Sequence, residues 1–173
     1  MKTYKLLTPG PLTTTDSVKQ EMLFDHCTWD EDYKQITQRI RRELLQLAHV
    51  DETAYTTVLM QGSGTFGVES VISSVIPDDG CLLLLSNGAY GERIAAMCRY
   101  HHISCVHIAQ DYDKMPDRMK AEEALKQHPE ITHIAMIHSE TTTGILNDIQ
   151  SIGELAKTYH KVFIVDAMSS FAG

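Results

Sequence analysis

Cys81-Leu82-Leu83-Leu84-Leu85-Ser86 (CLLLLS, residues 81–86) is uniformly apolar between two polar ends. A strand that alternates apolar and polar residues buries one face, whereas an unbroken apolar run of this length suits a strand buried on both faces, as in a mostly parallel sheet. It is followed by YGERIAAMCRY (90–100), whose apolar residues recur at helical spacing. The same pair recurs as ISCVHIA (103–109) with PDRMKAEEALKQH (116–128), and as THIAMIH (132–138) with DIQSIGELAKTYH (148–160). VFIVD (162–166) closes the series, and upstream YTTVLMQ (55–61) is expected as a further strand before the helical TFGVESVISSVI (65–76). This alternation predicts an α/β fold with a mostly parallel sheet flanked by helices.

Nearer the start, the spacing predicts helices over 17–24 and 30–47, with Ile36, Ile40, Leu44 and Leu47 sharing one face. Arg39, Arg41, Arg42 and Glu43 lie mostly opposite and read as a solvated face. In LLTPGPL (6–12), Pro9, Gly10 and Pro11 forbid a helix and predict an extended arm. The expected organisation is an arm over 1–15 and a single domain over 16–173.

Composition narrows the function classes. A net charge of −8 argues against binding nucleic acid through the overall field. No apolar run approaches the ~20 residues of a membrane helix, so a cytoplasmic location is expected. Cys27, Cys81, Cys98 and Cys105 form no CxxC pair and read as reduced thiols. The nine histidines show no metal-ligand spacing, and no metal is expected.

Ligands of parallel α/β sheets bind outside the carboxyl ends of the strands, and four polar clusters fall there. Gln61-Gly62-Ser63-Gly64-Thr65 opens a helix and suits a phosphate, through close-approaching backbone N–H groups and the helix dipole, or is simply an N-cap. Tyr90, in SNGAYGER (86–93), could stack on a planar ligand or pack. His138-Ser139-Glu140-Thr141-Thr142-Thr143-Gly144 loads hydroxyls onto a strand end, for a ligand or for the following turn. Asp166 ends a buried strand, where an ionised carboxylate needs a partner: a protonated pyridine nitrogen, Mg²⁺ or a helix N-terminus.

In this order the clusters resemble the class V aminotransferases among the fold-type I pyridoxal-phosphate enzymes. LLTPGPLTTT (6–15), WDEDYKQITQRIRREL (29–44), SNGAYGERI (86–94) and VDAMSSFAG (165–173) are similar to members of that family that handle a phosphonate. The resemblance implies that residues 16–173 are the N-terminal part of a cofactor-binding large domain. It implies pyridoxal 5'-phosphate held by Ser63, Gly64 and Thr65, with Tyr90 on the ring, Thr141 beside it, Asp166 on N1 and Met168 over the other face. Pro9 and Gly10 would approach the substrate. The implied reaction passes the amino group of 2-aminoethylphosphonate to pyruvate, giving phosphonoacetaldehyde and L-alanine, in a homodimer. The family's Schiff-base lysine lies downstream of the aspartate; Lys157 and Lys161 precede Asp166, so it is expected beyond Gly173 and the 173 residues alone are expected to be inactive. The alternatives are a class V aminotransferase acting on alanine or serine with glyoxylate or pyruvate, or a noncatalytic pyridoxal-phosphate-binding fragment.

Overall fold

The computed structural model describes residues 4–8, 10 and 12–172. The chain divides into two compact units, one up to Gln61 and one over Gly62–Phe171.

In the first unit, α1 (Asp16–Glu21) and α2 (Glu31–Leu47) are the two expected helices, α1 being shorter than its pattern suggests. The segment ahead of them is not helical, but it doubles back instead of running straight: Leu7 bridges Leu12, and the Leu6 N–H donates to the Thr13 hydroxyl (2.6 Å). Residues 55–61 are not a strand. Their pattern is apolar, yet no described strand pairs with them, and α2 supplies their polar partners instead. The Arg41 guanidinium donates to the Thr57 carbonyl (2.8 Å) and the Thr56 hydroxyl (2.9 Å), and the Thr57 hydroxyl donates to the Arg41 carbonyl (3.1 Å). Arg41 is therefore a pin and not merely part of a solvated face.

The second unit holds α3 (Gly64–Val75), β1 (Cys81–Ser86), α4 (Ala89–Tyr100), β2 (Ser104–Ala109) and α5 (Arg118–Gln127). After these come β3 (Ile131–Ile137), a hairpin of β4 (Ser139–Glu140) and β5 (Ile145–Leu146), α6 (Ile149–Thr158) and β6 (Val162–Asp166). The four longer strands form a sheet in the order β2-β1-β3-β6, every pair parallel. The α/β expectation holds. Because strand side chains alternate between faces, Leu83 and Leu85 of β1 pack with α5 and α6, whereas Leu82 and Leu84 pack with α3 and α4. β1 is buried along its whole length, which is what the unbroken apolar run requires. Asp117 and Asp148 cap α5 and α6 by accepting backbone N–H bonds. The chain leaves β1 toward β2 on one side and returns to β3 on the other, so strand order reverses between β1 and β3. All four cysteines are unpaired, and no helix among the described residues is long and apolar enough to cross a membrane.

Candidate active site

The carboxyl ends of β1, β3 and β6 are tied together by polar side chains. Asn87 and Asn147, both buried, exchange amide hydrogen bonds (2.9 and 3.0 Å), and Asn147 also donates to the Ile137 carbonyl (2.9 Å). The His138 N–H donates to the Asp166 carbonyl (2.8 Å), the Ser169 hydroxyl to the Ser139 carbonyl (2.6 Å), and the Ser170 hydroxyl lies 2.9 Å from His138 Nδ1. Buried polar groups are costly unless paired, so this mesh fixes the strand ends as one rim.

Ser63, Gly64 and Thr65 sit at the start of α3, with Ser63 as the N-cap. The Ser63 hydroxyl accepts from the Phe66 N–H (3.2 Å) and the Ser63 carbonyl from the Gly67 N–H (3.0 Å). The Gly64 and Thr65 N–H groups have no hydrogen-bond partner among the described residues. Two free donors at the positive end of a helix dipole, flanked by two hydroxyls, form an anion-binding donor set.

Asp166 ends β6 on the same rim. Its Oδ1 accepts from the Met168 N–H (3.0 Å), an Asx turn that aims the chain back. Its second oxygen has no hydrogen-bond partner, and no cation pairs with it, among the described residues. The turn places the Met168 side chain against Gly64, where a Cβ would lie 3.0 Å from Met168 Cγ. The start of α3 and the end of β6, about a hundred residues apart in sequence, thus meet side by side.

Tyr90, in the first turn of α4, is half-buried, and the Arg93 guanidinium lies over its ring, 4.8 Å from the centroid. Thr141 is exposed at the tip of the β4–β5 hairpin. Its neighbour Thr142 is the fixed hydroxyl, donating to Glu140 Oε1 (2.7 Å) and accepting from the Ala89 N–H (3.2 Å). Gly10 belongs to the first unit, and Pro9 lies outside the described residues.

Two residues that patterning passed over organise this rim. Glu140 is fully buried; it accepts from the Thr142 N–H (3.2 Å) and, through Oε2, from the Gly91 N–H (3.4 Å). A carboxylate at the N-terminus of α4 is stabilised by the helix dipole, and this one holds the helix turn that carries Tyr90 against β4. Gly88 makes room for it: a Cβ there would fall 2.3 Å from Glu140 Cγ, so the glycine serves close approach and not a special φ. The second is Arg93, whose Nη1 donates to the Thr65 hydroxyl (2.8 Å). The available signals were an acid inside a hydroxyl run and an arginine one helical turn from the tyrosine.

Known proteins resemble this chain in sequence and in fold. The family model "Aminotransferase class-V" matches residues 25–173. The chain is 57% identical, over all of its length, to the 2-aminoethylphosphonate–pyruvate transaminase of Lysinibacillus sphaericus, and 55% identical over 98% of its length to that of Bacillus cytotoxicus. It spans 47% of each of these curated relatives. Among solved structures, the pyridoxamine-pyruvate aminotransferase of Mesorhizobium loti superposes over 98% of this chain and 43% of its own, with a TM-score of 0.86 and 26% identity. An alanine–glyoxylate aminotransferase from a Nostoc species shares the fold, with a TM-score of 0.88 over 100% of this chain and 46% of its own at 23% identity. The chain belongs to the class V aminotransferase family.

Proposed function

We propose that this chain carries the pyridoxal 5'-phosphate cradle of a 2-aminoethylphosphonate:pyruvate transaminase. In this reading residues 1–15 are an arm in which Pro9 and Gly10 approach the substrate, and residues 16–173 are the N-terminal part of the cofactor-binding domain. The whole protein is a homodimer acting in the cytoplasm on 2-aminoethylphosphonate and pyruvate. The observation that carries the cofactor assignment is the contact of Met168 with Gly64, which brings the start of α3, with its free donors, beside the end of β6, where Asp166 keeps one oxygen open. The substrate assignment is supported by 57% identity to a relative named for it.

The residues present fit the cofactor by donor chemistry. The Gly64 and Thr65 N–H groups, the Ser63 and Thr65 hydroxyls and the α3 dipole would hold its phosphate dianion. Asp166 would keep the pyridine nitrogen protonated through its open oxygen, Tyr90 and Met168 would cover the ring, and Thr141 would bond at its edge. When bound, pyridoxal 5'-phosphate supplies an electron-withdrawing ring that accepts the amino group and stabilises negative charge at the substrate carbon. Asp166 sets the strength of that withdrawal by fixing the N1 proton, and the buried Glu140 keeps Tyr90 in place while it happens. Lys161 immediately precedes β6. At ~3.3 Å per strand residue it stands roughly 16 Å along the chain from Asp166, at the wrong end of the strand to serve that carbon.

Titrating the chain with pyridoxal 5'-phosphate, followed by the cofactor's near-ultraviolet absorbance, should give saturable binding. Asp166→Ala removes a charge-assisted bond worth about 1.5–3 kcal/mol and should weaken it roughly 10- to 100-fold. Absence of saturable binding defeats the cofactor assignment. In the whole protein, alanine should form from pyruvate faster with 2-aminoethylphosphonate than with serine as donor. The reverse order, or preference for glyoxylate as acceptor, defeats the substrate assignment and leaves the cofactor assignment standing.

A further inference from the structure

Arg93 is an exposed cation whose placement packing does not explain. It follows Tyr90 by three residues on α4, so the two side chains share a helix face. Its guanidinium lies 4.8 Å from the Tyr90 ring centroid and gives one hydrogen bond, from Nη1 to Thr65 Oγ1 at 2.8 Å. Arg39 and Arg118 each pair with a glutamate on their own helix, whereas no carboxylate pairs with Arg93 among the described residues. Nor is it needed to hold α3 against α4. Ile72 and Ile94 already pack in one core cluster, and His101, which caps the end of α4, brings its Nε2 to 2.7 Å from Glu69 Oε1 on α3.

The direction of the Arg93–Thr65 bond matters. A threonine hydroxyl has one proton to give and two lone pairs to receive with. Arginine has no acceptor, so it occupies a lone pair of Thr65 and leaves the hydroxyl proton free to donate elsewhere. A cation on that lone pair also polarises the O–H and strengthens it as a donor. The remaining open groups beside it are the Gly64 and Thr65 N–H groups.

Resting on the cofactor assignment above, we propose that Arg93 is a positioning residue for the phosphate: held by the Tyr90 ring, it turns the Thr65 hydroxyl into an outward donor and adds uncompensated positive charge beside the α3 donor set. It acts through Thr65, so its contribution belongs to the phosphate and not to the pyridine ring.

The test is a set of equilibrium dissociation constants for pyridoxal 5'-phosphate and for pyridoxal, which lacks the phosphate. They are measured on the full chain by ligand absorbance, with thermal unfolding of each variant alongside. Arg93→Met should weaken pyridoxal phosphate on the order of ten-fold and leave pyridoxal within about two-fold. Arg93→Lys should recover part of the loss, because it restores the charge without the planar fork. In a Thr65→Val background the Arg93→Met loss should shrink, since the two residues are coupled. Equal weakening of both ligands, or a loss that tracks the unfolding temperature, would mark Arg93 as merely structural. Fully additive losses would show that it does not act through Thr65. Unchanged binding by Arg93→Met beside a binding wild type overturns this inference alone. A wild type that binds pyridoxal phosphate at no concentration overturns it together with the cofactor assignment.

Discussion

Among the described residues every buried side chain lies between Ile72 and Ala156, and none up to Gln61 is buried. Yet α2 is strongly amphipathic, and its apolar stripe keeps Ile36 at 53% and Ile40 at 39% exposure. In Gly62–Phe171 the pattern that announces a buried strand is followed within a few dozen residues by the helices that bury it. For α2 no such cover follows locally. Hydrophobic periodicity shows that a face seeks burial; only a second element close in sequence shows what meets it.

The widest gap between the two regions should appear on core truncation. Ile134→Ala, at 0% exposure in the middle of β3, should cost about 2–5 kcal/mol of unfolding free energy. Ile36→Ala should change it by no more than ~0.5 kcal/mol, because an exposed position loses little packing and alanine is the better helix former. Urea unfolding of both variants decides the matter. A cost at Ile36 as large as at Ile134 would mean that the α2 stripe is covered in solution, and the contrast would collapse.

A second comparison sits inside the folded unit, between two glycines. Gly88→Ala forces a Cβ to within 2.3 Å of Glu140 Cγ, and the buried carboxylate cannot move without abandoning Gly91 and Thr142. Overpacking of this kind costs about 1–3 kcal/mol. Gly67→Ala, in α3 with nothing within 4 Å of the added carbon, should instead stabilise by roughly 0.5–1 kcal/mol, since glycine is the poorer helix former. Thermal melts of the pair would refute the account of Gly88 if both substitutions moved the midpoint the same way.

The same contrast governs how much was legible in the sequence. Strand–helix alternation is local, so β1, β2, β3 and β6 with their helices could be read from apolar runs and spacing. YTTVLMQ has the pattern of a strand without being one, because a strand needs a partner, and Arg41, not a neighbouring strand, meets Thr56 and Thr57. At the site, the strand-end rule points to Asp166 but not to Ser63, Gly64 and Thr65, which follow no strand and reach the same rim through the contact of Gly64 with Met168. It missed Glu140 and Arg93, because their roles are set by contacts 49 and 28 residues away in sequence. No periodicity encodes such contacts.

The smallest of the expected effects is a pH dependence at the opposite end of the sheet. His133, in β3, is 6% exposed, with Nδ1 2.7 Å from the Thr132 hydroxyl. Burial holds its pKa below the ordinary 6.5, opposed only in part by a hydrogen bond to the Val75 backbone. The unfolded chain therefore takes up this proton more readily than the folded one, and stability rises with pH wherever that holds. The contribution is fully present above pH 6.5 and declines as pH falls below it, toward the lower folded-state value. Unfolding free energies measured from pH 7.5 to 5.5 should fall on the acid side for the wild type and fall less for His133→Gln. Parallel curves for the two proteins would mean that the acid sensitivity of the sheet lies in other groups. The apolar burial of β3 would then cost this imidazole nothing.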